Sequence, residues 1–139
     1  MVVPVKKLTH GGDIYSNEKI IDYSANINPM GLPASVKKAV TESLDSCVNY
    51  PDPLCRELTA AVAVKEKISK EYLIFGNGAA DVIFRLVLAK APEKALLTAP
   101  TFSEYENALN VVNCTIRHHL LQEEEGFIVK RDFLPQIEE

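Results

Sequence analysis

The sequence predicts an α/β fold built on a mainly parallel sheet. From residue 72 onward, short apolar segments alternate with segments whose apolar residues recur at helical spacing. The short segments carry apolar residues consecutively, as strands do in a sheet that is covered on both faces. Strand, helix, strand, helix, strand in this order implies parallel strands joined by helices. A chain of 139 residues with 47% hydrophobic and 24% charged residues suits one globular domain of this class.

The first part of the chain lacks this regular alternation. Residues 1–32 are predicted to form an N-terminal arm and a loop rich in Asn, Pro and Gly, with one short strand at Ile20–Tyr23. Residues 33–70 are predicted to form a helical segment. Pro33 suits the first turn of its first helix, and apolar residues recur at helical spacing on both sides of a break at Asn49–Pro53.

Residues 71–139 are predicted to form the first part of the sheet domain. The predicted strands are Tyr72–Phe75, Ala95–Thr98 and Thr115–Leu121, and the predicted helices cover Ala79–Ala89 and the apolar positions Phe102, Tyr105, Leu109 and Val112. The charged segment Gln122–Glu139 follows. Its pattern indicates a chain that stops within an α/β domain.

Charge and cysteine content disfavour several classes of function. A net charge of −4 argues against a nucleic-acid or anionic-membrane surface, because both require clustered Lys and Arg. No apolar run approaches the ~20 residues that span a bilayer, and the N-terminus does not resemble a signal peptide. Three cysteines without Cys-x-x-Cys spacing predict reduced thiols rather than disulfides or a zinc site. We therefore predict a cytoplasmic protein without nucleic-acid, membrane or metal partners.

A glycine-rich turn separates the first predicted strand from the helix that follows it. The first amides of a helix lack internal partners and lie at the positive end of the helix dipole, so they can hold an anion. Gly76 and Gly78 let the backbone turn tightly and approach a ligand, and the small Ala79 and Ala80 leave their amides accessible. The pattern is compatible with a phosphate site or with a simple strand-to-helix turn. It matches neither a Walker loop nor a Gly-x-Gly-x-x-Gly motif, because Asp81 replaces the third glycine.

Several stretches taken together resemble one family. HGGDI, DYSANINPMGLP, NYPDP, GNGAADVIF and APTFSEY occur in the order and approximate spacing of fold-type I pyridoxal-phosphate enzymes. The resemblance is strongest to the threonine-phosphate decarboxylase branch of cobalamin synthesis, with histidinol-phosphate aminotransferases as close relatives. It implies an N-terminal arm followed by the first part of a large parallel-sheet domain. It also implies pyridoxal 5'-phosphate as cofactor, a phosphorylated amino acid as substrate and assembly as a homodimer or a larger self-association.

The resemblance assigns cofactor contacts to the second half of the chain. Gly78, Ala79 and Ala80 resemble the backbone cradle of the cofactor phosphate. Phe102 resembles the aromatic residue that stacks on the pyridine ring, and such stacking contributes ~1 kcal/mol. Tyr105 is the alternative stacking residue, and its other interpretation is a helix core position.

The resemblance also assigns residues to the partner subunit and to the substrate. Tyr50 resembles the tyrosine that crosses the dimer interface to bind the partner's cofactor phosphate; otherwise it is an ordinary turn aromatic. His10 and Asn26 resemble groups that hold the phosphate or carboxylate of the substrate, although His10 could also be a surface loop histidine. His118 and His119 match no motif and are predicted to be strand residues.

The sequence departs from the family pattern in two places. The segment between HGGDI and DYSAN is short, and AAD stands where relatives often have a hydroxyl residue and a glutamate. In the family the lysine that forms the Schiff base lies later in the chain, and no lysine here stands in a matching motif. We therefore expect the N-terminal portion of an enzyme, inactive alone and with no catalytic residue. The alternative is a stand-alone, non-catalytic module that binds phosphate or self-assembles.

Overall fold

The computed structural model describes residues 11, 12, 14, 15 and 21–137. The chain divides into two compact units, one ending at Lys67 and the other beginning at Ile68. In the described part of the chain, no helix has the length and apolar character that crossing a membrane requires.

The first unit is helical. Helix α1 spans Ala34–Ser43 and continues into a 3-10 turn at Leu44–Val48, and helix α2 spans Arg56–Glu66. Pro33 is the N-cap residue of α1 rather than part of its first turn, and its carbonyl accepts a hydrogen bond from the Lys37 amide at 3.0 Å. The two helices predicted on either side of the break are thus confirmed.

The strand predicted at Ile20–Tyr23 is wrong for the residues that the structure describes there. Ile20 lies outside the described residues, and residues 21–23 have no regular secondary structure. The side chains of Ile21 and Tyr23 are 80% and 91% exposed. A strand requires a hydrogen-bonded neighbour, and the described sheet contains no strand paired with this segment.

The second unit is built on two parallel strands. Its elements are α3 at Gly78–Lys90, β1 at Lys94–Ala99, α4 at Ser103–Val111 and β2 at Thr115–Leu120. The strands pair in parallel, from Lys94 opposite Thr115 to Ala99 opposite Leu120. The predicted helix, strand, helix and strand of this region are confirmed, and β1, α4 and β2 form a crossover unit of the kind that parallel strands require.

Helix α4 provides the core of the second unit. Ala108 and Leu109 are 1% and 7% exposed, and Cys114, which follows the helix, is also buried. The helix packs against both α3 and β1. The amides of Val112 and Cys114 both donate to the Leu109 carbonyl, at 3.2 and 3.1 Å, and close the turn into β2.

The strand predicted at Tyr72–Phe75 is also wrong. A 3-10 turn occupies Lys70–Tyr72, and residues 73–76 follow without regular secondary structure. Leu73 has φ −113° and ψ 131°, a backbone conformation typical of a strand. The described sheet contains β1 and β2 alone, so Leu73 has a strand-like backbone but no paired strand.

The segment after β2 returns to the sheet. Its 3-10 turns span Glu123–Glu125 and Arg131–Ile137, and the second turn packs against β1. Gln136 Nε2 lies 3.0 Å from Nδ1 of His119, and the Phe133 ring meets the His119 ring edge to face at 5.2 Å between centroids. His119 therefore lies on β2, as predicted, and anchors the charged C-terminal segment to the strand.

Candidate functional site

The turn before α3 depends on both of its glycines. Gly78 has a φ of +81°, which residues with a side chain rarely adopt. Gly76 is required for a different reason, because an added Cβ would lie 2.6 Å from Asp81 Oδ2 and 2.8 Å from Val82 Cγ2. The Gly78 amide donates to the Gly76 carbonyl at 2.9 Å. One glycine thus supplies the backbone conformation and the other supplies space for a side chain of α3.

The amides of Ala79 and Ala80 are open hydrogen-bond donors at this turn. Among the residues that the structure describes, neither amide donates to a backbone carbonyl. Asn77 is the N-cap residue, but its side chain makes no capping hydrogen bond. Ala79 is exposed and Ala80 is half-buried. Two N–H groups at the positive end of a 13-residue helix are suited to an anion such as phosphate.

Asp81 and Arg85 are the charged side chains bound to this turn. Oδ2 of Asp81 accepts a hydrogen bond from the Asn77 amide at 2.9 Å, and Oδ1 lies 3.2 Å from Arg85 Nε. Arg85 also donates from Nη1 to the Phe75 carbonyl at 3.2 Å. Sequence reasoning missed this network, although the spacing of four residues between an Asp and an Arg in a helix could have indicated the ion pair.

Phe102 and Tyr105 form an aromatic pair at the start of α4. Phe102 is the N-cap residue of the helix and follows the end of β1 by three residues. The two rings meet edge to face, with centroids 5.9 Å apart and an interplanar angle of 89°. Phe102 is 47% exposed and Tyr105 is 40% exposed. Both rings therefore keep surface that a ligand could contact.

Tyr50 lies in the first unit, in the turn before α2. Its side chain is fully exposed, at 101% of the reference area. Asp52 orders this turn: Oδ2 accepts from the Arg56 amide at 2.8 Å, while Oδ1 accepts from the Leu54 amide at 3.1 Å and from Arg56 Nη1 at 2.6 Å. The amides of Arg56 and Leu54 lower the pKa of the Asp52 carboxyl. Asp52 lies four residues before the first residue of α2, where a carboxylate interacts favourably with the positive end of the helix.

Asn26 is exposed in the loop before α1. The same loop is tied to the preceding arm through Ser24, whose Oγ accepts a hydrogen bond from the Gly12 amide at 2.8 Å. An added Cβ at Gly11 would lie 2.3 Å from the Ser24 carbonyl oxygen. The structure therefore brings the Gly-Gly of HGGDI against the DYSAN stretch that carries Asn26, whereas His10 itself lies outside the described residues.

A cavity of about 390 Å³ lies at the amino ends of the two strands. Its lining comes from the first halves of the strands and from the C-terminal segment: Lys94, Ala95, Leu96, Thr115, Arg117, Gln136 and Ile137. None of the predicted site residues lines it. Within the described ranges, no group of three or more His, Cys, Asp and Glu could hold a metal ion.

The parallel crossover unit that follows the glycine turn agrees with the α/β fold that the resemblance implies. The chain belongs to the class I and II aminotransferase family, whose family model matches residues 18–138. A solved structure of L-threonine-O-3-phosphate decarboxylase from Porphyromonas gingivalis has the same fold, with a TM-score of 0.61 and 21% identity over 70% of this chain and 31% of that one. The predicted family and the α/β fold class are confirmed.

Two curated relatives are more similar in sequence. Threonine-phosphate decarboxylase from Salmonella typhimurium is 36% identical over 126 residues, which cover 85% of this chain and 35% of the relative. Histidinol-phosphate aminotransferase from Anoxybacillus flavithermus is 36% identical over 112 residues, which cover 78% of this chain and 30% of the relative. The matched region thus spans about a third of the length of these relatives.

The capping role of Asp52 predicts an acid-dependent loss of stability in the first unit. The folded pKa of Asp52 lies below its ordinary value. Its contribution is therefore complete above the unfolded pKa of about 3.9 and is lost as pH falls through the folded pKa. Asp52→Asn should reduce this acid sensitivity, because an amide oxygen accepts hydrogen bonds without titrating in this range.

An NMR titration of the side-chain carboxyls, with the amide shifts of α2 as a second readout, measures this effect. Asp45→Asn is the matched control, since it removes the same charge from a residue outside the cap. An Asp52 carboxyl that titrates at or above 3.9 in the folded chain would contradict the prediction.

Proposed function

We propose that this chain is the N-terminal portion of a pyridoxal-phosphate-dependent enzyme that acts on a phosphorylated amino acid. One observation carries the proposal: Ala79 is exposed and Ala80 is half-buried in the first turn of α3, and neither amide has a backbone acceptor in the described part of the chain. The names of the two curated relatives, threonine-phosphate decarboxylase and histidinol-phosphate aminotransferase, add support because both include a phosphorylated compound.

The residues at this turn fit the phosphate of the cofactor. An added Cβ at Gly78 would meet nothing within 4 Å, so the space at the turn is open. The amides of Ala79 and Ala80 would hold the phosphate, and Asp81 does not compete for them because it binds the Asn77 amide. Pyridoxal phosphate, when bound, supplies a ring that withdraws electrons from the substrate carbon.

The fold supports a place for the pyridine ring near the same turn. Three residues connect the end of α3 with β1, and we expect the chain to reverse direction in this short connection. We therefore expect the start of α3 and the end of β1 to lie toward the same edge of the sheet, where α/β folds bind their ligands. Phe102 follows β1 at that edge, and its 47% exposed ring is suited to stacking.

Asn26 and His10 are the proposed contacts to the substrate. The hydrogen bond between Gly12 and Ser24 supports this, because it joins the two stretches that carry these residues in sequence. A polar amide and an imidazole favour a substrate with a phosphate or carboxylate group. The same two groups serve decarboxylation and amino transfer equally, so they indicate the substrate class rather than the reaction.

Tyr50 is the proposed contact to a second subunit. A fully exposed phenol in a turn that Asp52 orders is suited to reach the cofactor phosphate of a partner.

A cytoplasmic location is also part of the proposed function, and it is supported by Cys47, Cys55 and Cys114, which are all unpaired.

A stand-alone, non-catalytic module is the second candidate. The observation that favours it concerns the lysines, because a covalent catalytic lysine is usually desolvated or placed next to another cationic group. Every lysine that the structure describes is exposed instead: Lys37, Lys38, Lys65, Lys67, Lys70, Lys90, Lys94 and Lys130. Such a module would bind phosphate at the glycine turn, or would self-assemble, without forming a covalent bond to the cofactor.

Titration with inorganic phosphate or pyridoxal phosphate tests the cradle. We expect amide shifts concentrated at residues 78–81, because those N–H groups would donate to the anion, with affinity in the millimolar range typical of about −4 kcal/mol. Sulfate serves as a second oxyanion, and the amides of α2 serve as the internal control. Absence of shifts at residues 78–81 at millimolar ligand would remove the cradle.

Reduction with borohydride in the presence of pyridoxal phosphate tests the proposed inactivity. Because the described lysines are exposed, we expect only scattered, substoichiometric labelling by peptide mass spectrometry. Stoichiometric labelling of one defined lysine would contradict the proposal that this chain is inactive alone.

Light scattering tests self-association. We expect a dimer or a larger species, because many large apolar side chains are exposed, including Val48 at 86% and Tyr50 at 101%. Tyr50→Ser should weaken association by about tenfold if the tyrosine is an interface anchor. Tyr72→Ser, at a residue that is 83% exposed in the other unit, is the control. A monodisperse monomer across the concentration range would exclude the proposed assembly.

A further inference from the structure

We infer that Asp81 and Arg85 are positioning residues for the anion site at the start of α3. Together they hold the turn at Gly76–Asn77 in the conformation that leaves the amides of Ala79 and Ala80 available. The inference rests on the proposed function in one respect, namely that the anion is the phosphate of a cofactor.

Asp81 packs against the backbone of the turn. Its Oδ2 accepts a hydrogen bond from the Asn77 amide at 2.9 Å. A Cβ added at Gly76 would lie only 2.6 Å from the same oxygen. The Asp81 side chain is 30% exposed, so the contact is partly shielded from water. Because residue 76 is a glycine, the Asp81 carboxylate has the space to reach the turn, where it binds the Asn77 amide.

Arg85 joins the two sides of the turn. Its Nε lies 3.2 Å from Asp81 Oδ1, and its Nη1 donates to the Phe75 carbonyl at 3.2 Å. Phe75 precedes the turn, whereas Asp81 follows it in the helix. A guanidinium can make both contacts at once because its donors form a rigid planar fork, and a lysine ammonium of the same charge lacks this geometry.

The charges of the pair make the inference testable. A carboxylate in the first turns of a helix would by itself repel a phosphate bound there. On charge alone, removal of Asp81 should therefore strengthen anion binding. If Asp81 positions the turn, its removal should weaken binding instead, because the Asn77 amide loses its acceptor and Arg85 loses one of its two anchors. The two effects have opposite signs.

The experiment compares four variants of the full chain by amide shifts during titration with pyridoxal phosphate. We expect Asp81→Ala to weaken binding at least about fivefold, through loss of preorganised donors. Asp81→Asn should stay within about twofold of the parent chain, since its oxygen still accepts the Asn77 amide. Arg85→Lys should be weakened although it keeps the charge. Glu93→Ala removes an equal charge three residues beyond the last residue of α3 and should not weaken binding.

A second readout requires no ligand. Hydrogen exchange of the Asn77 amide should accelerate about tenfold in Asp81→Ala and remain near the parent rate in Asp81→Asn.

If the parent chain binds and Asp81→Ala binds equally or more tightly, the inference is wrong while the proposed function stands. If the parent chain fails to bind, the proposed function is wrong. If, in addition, Asp81→Ala leaves the hydrogen exchange of the Asn77 amide and the amide shifts of Ala79 and Ala80 unchanged from the parent chain, the inference is overturned as well. Should Asp81→Ala not fold, Asp81→Asn and Arg85→Lys decide the outcome.

Discussion

The available hydrogen-bonding capacity of two backbone amides is the constraint on which the functional interpretation depends. Ala79 and Ala80 begin α3 after a turn that uses other donors and acceptors internally. The first amides of a helix are satisfied by a capping side chain, by water or by a ligand, and the N-cap residue Asn77 makes no capping bond, as in α1, α2 and α4. In the proposed function these two amides, rather than a lysine or arginine, would contact the anion, and Arg85 would act only by holding the turn.

The glycine turn and the sheet have complementary roles. Parallel pairing of β1 with β2 requires a crossover, and α4 provides it while its buried face supplies the core. Helix α4 of this crossover begins just after Phe102, which follows the end of β1 by three residues. Ligand contacts in such folds come from the loops at the carboxyl ends of strands, because those loops can vary without disturbing the packed layers. The two exposed aromatic rings fit that division between scaffold and site.

The sequence was sufficient where local chemistry decides the outcome. Helices α2 and α3 and both paired strands follow from the spacing of apolar residues, and the break before α2 follows from its prolines. Prediction failed at Tyr72–Phe75, whose composition and Leu73 backbone suit a strand. A strand forms only beside another strand to which its backbone can hydrogen-bond, and the local sequence does not indicate whether that second strand is present.

The sequence by itself determined the family, the order of helices and strands, and the glycine turn, because these depend on residue types at short separations. Tertiary structure decided how the turn is held. Asp81 looked like a departure from a glycine motif, yet its carboxylate occupies the space that Gly76 leaves and pairs with Arg85. Likewise, the contact between Gly12 and Ser24 spans twelve positions in the sequence. Such hydrogen bonds and ion pairs form only where the folded chain brings a donor and an acceptor within about 3 Å. Composition and periodicity do not encode these distances.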